Sequence, residues 1–274
     1  MNSREEYLDV YGITDPGQSG KINEDRYEIS SFDSEDTDSQ VLVAIVADGV
    51  GGQKAGEVAS DMAVKAILSV IREGDLTQPL WTLKSAMLEA NHAITSVAEH
   101  DESKKGMGST IACALVIDGH LYIASMGDSR IYLIRDGRIQ QLTTDHTWVQ
   151  EAIENGVISQ QEAQKHPRRN LIRSYLGSSD PIQPDLRMFL TDSESPEQAE
   201  ANQGLPLIPE DLILLCSDGL TSLVPDQEIL AVMEKTPDKD QALHRLVDLA
   251  NQRGGHDNIT IIAIQGAGED LFLT

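Results

Sequence analysis

Apolar positions along this chain of 274 residues follow two periods. Short, nearly continuous apolar runs read as buried strands, and windows with apolar residues every three or four positions read as helices. YLDVYGIT and RYEISSF are predicted strands, separated by the polar, glycine-containing stretch DPGQSGKINED. Ser30 to Gln40 is an acidic loop without periodicity. VLVAIVADGVGG is a buried strand ending in Asp48 and a glycine cluster. Two helices follow. The first places Ala59, Met62, Ala63, Ala66, Ile67 and Val70 on one face, and the second Leu83, Met87, Ala90, Ile94 and Val97.

TIACALVI, HLYIASM, RIYLIR and RIQQL are β-rich runs joined by Asp118-Gly119, the turn GDS and Asp136-Gly137. Asp-Gly between apolar runs marks a two-residue hairpin, because both turn positions need positive φ. The expectation is an antiparallel meander, since a parallel sheet would need helical crossovers. DHTWVQEAIENGVISQQEAQKHPRRN predicts two short helices, with Gly156 near the end of the first and Pro167 closing the region. LTDSESPEQAEANQGLP is polar and acidic and is expected to be a mobile surface insertion. DLILLCSDG is a further buried strand, followed by helices over Pro225 to Lys235 and Gln241 to Gln252 and a last strand, NITIIAI. No repeat or linker divides the chain. The fold class expected is α+β in one domain, two antiparallel sheets with helices packed outside them.

Composition narrows the partners. Hydrophobic residues make up 40% and aromatics only 4%, so the core must be built from Val, Ile, Leu, Ala and Met. Lys and Arg total 21 against 45 Asp and Glu, a net charge of −24. Such a field repels nucleic acid and anionic membranes, and neither is expected as a partner. It also repels a phosphorylated substrate unless bound cations reverse the potential locally. Cys113 and Cys216 sit inside apolar runs and read as core residues. No run approaches the roughly 18 apolar residues of a membrane span, and MNSREEYLDVYG lacks the features of a signal peptide. A reducing, cytoplasmic location is expected.

Several aspartates stand where apolar strands begin or end: VAIVA-Asp48-Gly49, LILLCS-Asp218-Gly219, and Asp257-Asn258 before ITIIAI. Asp25 precedes RYEI, and Asp128 sits in the turn GDS. Taken singly, an Asp-Gly pair is usually a turn, and Asp118 and Asp136 read as nothing more. Taken together, carboxylates at a core edge lose hydration and raise one another's pKa. A divalent cation relieves both effects, and oxygen-only ligands favour Mg²⁺ or Mn²⁺ over Zn²⁺. Gly49 allows close approach, so its carbonyl is a further candidate ligand.

The ordered segments TDPGQSGKINEDR, ADGVGG, GSTIACALV, GDSRIYLIRDG, TTDHTWVQ, HPRRNLIRSYLG, LLCSDGL and GGHDNIT resemble the bacterial form of the type 2C (PPM) metal-dependent Ser/Thr protein phosphatases. The resemblance runs from about Asp9 to Ile264. It implies a four-layer αββα sandwich and one catalytic domain over residues 1–274, with a flap at about 145–177 and the acidic insertion at about 190–206. It also implies roles. Asp48 bridges two Mg²⁺ or Mn²⁺ ions with the Gly49 carbonyl on one, and Asp218 and Asp257 ligate the other. Glu24 and Asp25 act largely through bound water, Asp128 joins Asp218 at a third ion, and Asn258 orients Asp257. The reaction implied is hydrolysis of phosphoserine and phosphothreonine by a water bridging the ions. The substrates implied are proteins phosphorylated by a Ser/Thr kinase, and a monomer is expected.

Two departures stand out. Where the family carries a phosphate-binding arginine, this chain has Gly20, so Lys21 becomes the expected phosphate contact, as a point charge without a guanidinium fork. Where eukaryotic members carry a histidine after the bridging aspartate, this chain has Val50, which leaves His146 and His256 as the candidate acids. Arg168, Arg169 and Arg173 in the flap read either as a contact for an acidic partner or as partners of nearby carboxylates. The competing reading is a pseudophosphatase that binds phosphoproteins without turnover. A nuclease on the same carboxylates is disfavoured by the absence of a basic stripe.

Overall fold

A computed structural model describes residues 8–34, 39–51, 55–163 and 165–266. Its strands are β1 (Leu8–Asp15), β2 (Arg26–Asp33), β3 (Gln40–Ala47), β4 (Gly49–Val50), β5 (Gly108–Ser109) and β6 (Ile111–Ile117). Then come β7 (His120–Met126), β8 (Arg130–Arg135), β9 (Arg138–Gln141), β10 (Leu205–Pro206), β11 (Leu212–Cys216) and β12 (Ile259–Gly266). The longer helices are α1 (Ala55–Glu73), α2 (Pro79–His100), α7 (Asp226–Lys235) and α8 (Lys239–Gln252). Shorter ones are α3 (Trp148–Glu154), α4 (Gln160–Ala163), α5 (Pro196–Ala201) and α6 (Asp218–Thr221).

One sheet runs β1-β12-β11-β8-β9 and the other β10-β7-β6-β3-β2, with antiparallel pairing throughout. Side-chain alternation explains why the central strands are apolar at nearly every position. Val41, Val43 and Ile45 of β3 face α1 and α2, while Leu42, Ala44 and Val46 face the other sheet. On β12, Ile262 and Ile264 face the inter-sheet layer, and Ile261 and Ala263 face α7 and α8. Both faces of each central strand are therefore dry. Each fully buried Val, Ile or Leu contributes about 1.5–3 kcal/mol. The result is the expected αββα sandwich, with three apolar layers between four structural ones.

The hairpin turns are as expected: Asp118 has φ 45° and Asp136 φ 52°. The meander is not. β6 and β7 pair in one sheet and β8 and β9 in the other, so Gly127 to Ser129 is a crossover between sheets. An apolar run buried on both faces does not reveal which sheet it joins, which is why GDS reads like one more hairpin. Gly127 makes the crossing possible, since it has φ 100° and a β-carbon there would lie 2.6 Å from Thr110.

The stretch at about 190–206 also folds. Ser195 and Gln198 form a capping box at the start of α5, and Ala199 is buried. Gln203 hydrogen-bonds both backbone groups of Ile123, and β10 pairs with β7. Its acidic composition concealed one cap, one clamp and one buried alanine. The acidic loop is shorter than expected, because β2 continues to Asp33 and β3 starts at Gln40; its middle, residues 35–38, lies outside the described residues, as do Tyr7 and Gly52 of the quoted segments. No helix among the described residues is long and apolar enough to cross a membrane.

Candidate metal centre

The strands deliver carboxylates to one edge of the sandwich from both sheets. Asp25 stands before β2 and Asp48 after β3 in one sheet; Asp218 follows β11 and Asp257 precedes β12 in the other. Asp128 arrives on the crossover. Their charges reach one another. Burial, then the charges of Asp25, Asp218, Asp128 and Asp257, push the Asp48 carboxyl well above the ordinary carboxylate range. Burial first, and the charges of Asp218 and Asp257 after it, raise Asp25 to about 7 against the pull of hydroxyls from Thr260 and Ser217. Burial and the neighbouring Asp218 and Asp145 raise Asp128 to about 7. Asp218 rises to about 6 through burial and Asp257, and its carboxyl lies within hydrogen-bonding reach of Asp48. Asp257 itself is exposed.

Three carboxylate oxygens here are buried without a hydrogen-bond partner among the described residues: Glu24 Oε1, Asp25 Oδ1 and Asp128 Oδ1. An unpaired buried acceptor costs about 1–3 kcal/mol, more when charged. Gly56, near the start of α1, adds a second sign of a cation site. A β-carbon there would lie 2.6 Å from the Gly49 carbonyl oxygen and 2.7 Å from Glu24 Oε1. Two oxygens thus flank a space that any other residue would fill. All donors are hard oxygens, the set that suits Mg²⁺ or Mn²⁺. Among the described residues no three acidic, His or Cys side chains close about a common point, so the carboxylates share one edge without converging on a single position. The residues present fit divalent cations by donor type, charge and unmet hydrogen bonding.

A family model described as protein phosphatase 2C matches residues 17–251. The chain belongs to the protein phosphatase 2C family. It is 34% identical to the serine/threonine phosphatase stp of Listeria monocytogenes over 92% of this chain and 93% of that one. The S. agalactiae serine/threonine phosphatase structure superposes with a TM-score of 0.81 at 30% identity, covering 95% of this chain and 100% of that one. The catalytic domain of the phosphatase PstP, solved in complex with two manganese ions, gives a TM-score of 0.77 at 30% identity over 95% and 99% of the two chains.

Against the family pattern, hydroxyl residues stand beside the aspartates and fix them. Ser217 Oγ donates to Asp25 Oδ2 at 2.7 Å and accepts the Thr260 N–H at 3.0 Å. Thr110 Oγ1 accepts the Asp48 N–H at 3.1 Å and lies 2.7 Å from Ser129 Oγ. One Thr-Ser pair therefore ties the loop of Asp48 to that of Asp128. Sequence reasoning passed over Thr110, Ser129 and Ser217, although Ser129 and Ser217 are the immediate chain neighbours of Asp128 and Asp218.

Asn258 does less for Asp257 than expected. Only its backbone N–H donates to Asp257 Oδ1, at 3.0 Å. Its side chain reaches across, accepting the Glu24 N–H at 2.8 Å and donating to the Pro16 carbonyl at 3.0 Å. Lys21 is exposed on the loop before β2, and Gly20 there has φ 72° with open space around it. An arginine at position 20 would meet no obstacle but would sit in a left-handed backbone that disfavours it. His146 is fully engaged by Gly127 and Asp185, and His256 is exposed. In the flap, Arg173 pairs with Glu151 at 3.1 Å, and Arg168 lies over Trp148, which also stacks on the His166 ring. Arg169 is exposed. Asp145 is held by both prongs of Arg130, at 2.8 and 2.6 Å.

Proposed function

We propose that the protein removes phosphate from phosphoserine and phosphothreonine side chains of other proteins, using Mg²⁺ or Mn²⁺. The observation that carries this is the set of buried carboxylate oxygens without a partner among the described residues, in a chain of the protein phosphatase 2C family. Asp48 and the Gly49 carbonyl, Asp218 and Asp257 would hold two ions, with Glu24 and Asp25 acting through water and Asp128 with Asp218 at a third. When bound, the cations supply Lewis acidity that offsets charge on the phosphoryl oxygens and makes water a nucleophile near neutral pH. The chain's own part is positional. Ser217 orients Asp25, Asn258 fixes the Glu24 backbone, and Thr110 with Ser129 sets Asp48 and Asp128 in register. The reading needs no covalent phosphoenzyme, and neither cysteine offers a ready thiolate, since Cys113 and Cys216 are buried and burial pushes both thiols up to about 12.

The same reading has the protein act as a monomer in the cytoplasm, as one catalytic domain over residues 1–274 with 145–177 as the flap, on products of a Ser/Thr kinase. The test is phosphate release from a phosphothreonine peptide. Release should require Mn²⁺ or Mg²⁺ and cease with EDTA; Mn²⁺ binding without release would favour the pseudophosphatase, and release that survives EDTA would sink the reading.

Lys21 is the proposed phosphate contact at the rim. An exposed charge contact is worth about 1 kcal/mol. Lys21→Ala should therefore raise KM about fivefold while leaving kcat nearly unchanged. Unchanged KM and kcat would remove Lys21 from the site.

A further inference from the structure

The crossover that carries Asp128 is gripped from behind by one residue of the flap. His146 donates its backbone N–H to the Gly127 carbonyl at 2.9 Å, and its ring Nδ1 accepts the Gly127 N–H at 3.0 Å. Both polar groups of the Gly127 residue thus end on His146. We propose that His146 is a positioning residue that aims Asp128 into the carboxylate cluster by fixing Gly127, an inference that rests on the metal-dependent reading above.

The ring is itself braced. Because Nδ1 accepts, the ring proton belongs on Nε2, which donates to Asp185 Oδ2 at 3.1 Å. Arg187 holds Asp185 with two bonds of 2.8 and 2.6 Å. The Asp185 backbone pairs with Ser125 of β7 at 2.9 and 3.1 Å. Ser125 lies two residues before Gly127, so the ring is anchored to the strand whose end it holds. On the other side, Ser129 bonds Thr110 at 2.7 Å. Asp128 is buried, and its Oδ1 has no partner among the described residues. Its carboxyl accepts a hydrogen bond from its own backbone, so its aim follows the backbone on either side, where Gly127, with φ 100°, adds no side-chain anchor. The His146 carbonyl also accepts the Arg173 N–H at 2.7 Å, which joins this clamp to the flap.

Two substitutions separate the ring's two bonds. In His146→Asn the amide oxygen takes the place of Nδ1 and can still accept the Gly127 N–H. In His146→Gln the amide reaches the place of Nε2 and can keep Asp185 but not Gly127. The readouts are Gly127 amide exchange in metal-free protein and Mn²⁺ titration calorimetry, with Asp128→Asn marking the ion that Asp128 serves. In His146→Gln, Gly127 should exchange at least about tenfold faster and that ion should bind about tenfold more weakly, the usual scale for residues that support metal ligands. His146→Asn should stay within about threefold of the wild type in both. Equal behaviour of the two variants, whether both normal or both impaired, would overturn the inference while wild-type Mn²⁺ binding stands. Absence of Mn²⁺ binding and phosphate release in the wild type would instead overturn the metal-dependent reading, and this inference with it.

Discussion

Replacing Asp218 with alanine lowers phosphate release from a phosphothreonine peptide by about a thousandfold or more. Asp218 opens α6 two residues after the end of β11, and its charge bears on Asp48 and Asp128. Its carboxyl lies within reach of Asp48, and its charge is felt by Asp25 and Asp128. Without it, Asp257 is left alone on that side of the site, exposed and unable to hold an ion against water. Cation stabilisation of a phosphoryl transition state is worth several kcal/mol, and each 1.4 kcal/mol is about tenfold in rate. Unfolding is not the cause expected, because the substitution removes one of several mutually repelling charges. Steady-state kinetics with saturating Mn²⁺, alongside a thermal melt of the metal-free variant, checks both halves. Activity within tenfold of the wild type would exclude Asp218 as a ligand.

The second large effect is on stability. In EDTA the melting temperature should fall by about 5–10 °C between pH 5 and pH 7.5. Folding raises Asp25 from 3.8 to about 7 and Asp218 to about 6, with Asp48 above its ordinary range as well, burial being the main cause in each case. The folded chain therefore holds protons that the unfolded chain has lost between about pH 4 and pH 7. Stability declines as pH rises through that window and stays low above it. Fully expressed, the Asp25 change alone is about 4 kcal/mol, and sharing of protons among the coupled carboxyls brings it down. Mn²⁺ should restore the melting temperature at pH 7.5, and Asp48→Asn should flatten the slope. A melting temperature that is flat or rising over this range in EDTA would contradict the arrangement.

Much of this is legible in the amino-acid sequence alone. The helical faces of α1 and α2, the Asp-Gly hairpins at Asp118 and Asp136, and the buried runs of β3, β11 and β12 follow from local periodicity and turn chemistry, and local signals survive packing. The aspartates are legible through their company at strand ends. Sheet membership is not, since alternation along β7 and β8 says that both faces are covered but not by what. Nor could spacing show that Asn258 spans to Glu24, or that His146 holds Gly127, because those bonds join segments far apart in sequence. Polar composition misleads at 190–206, where Gln203 and Ala199 contribute order that average acidity hides.

The place of β12 has a consequence in time. In its sheet β1 pairs only with β12, so the first described strand waits for the last. Asp257 and Asn258 arrive with that final strand, and Asn258 is what grips Glu24. A chain emerging from a ribosome would therefore lay down Asp25, Asp48, Asp128 and Asp218 and still lack a finished site until β12 slots between β1 and β11. Pairing across so long a stretch of sequence is slow to form. The order of synthesis thus places the closing of the carboxylate cluster at the pairing of β12, after the other aspartates are already in the chain.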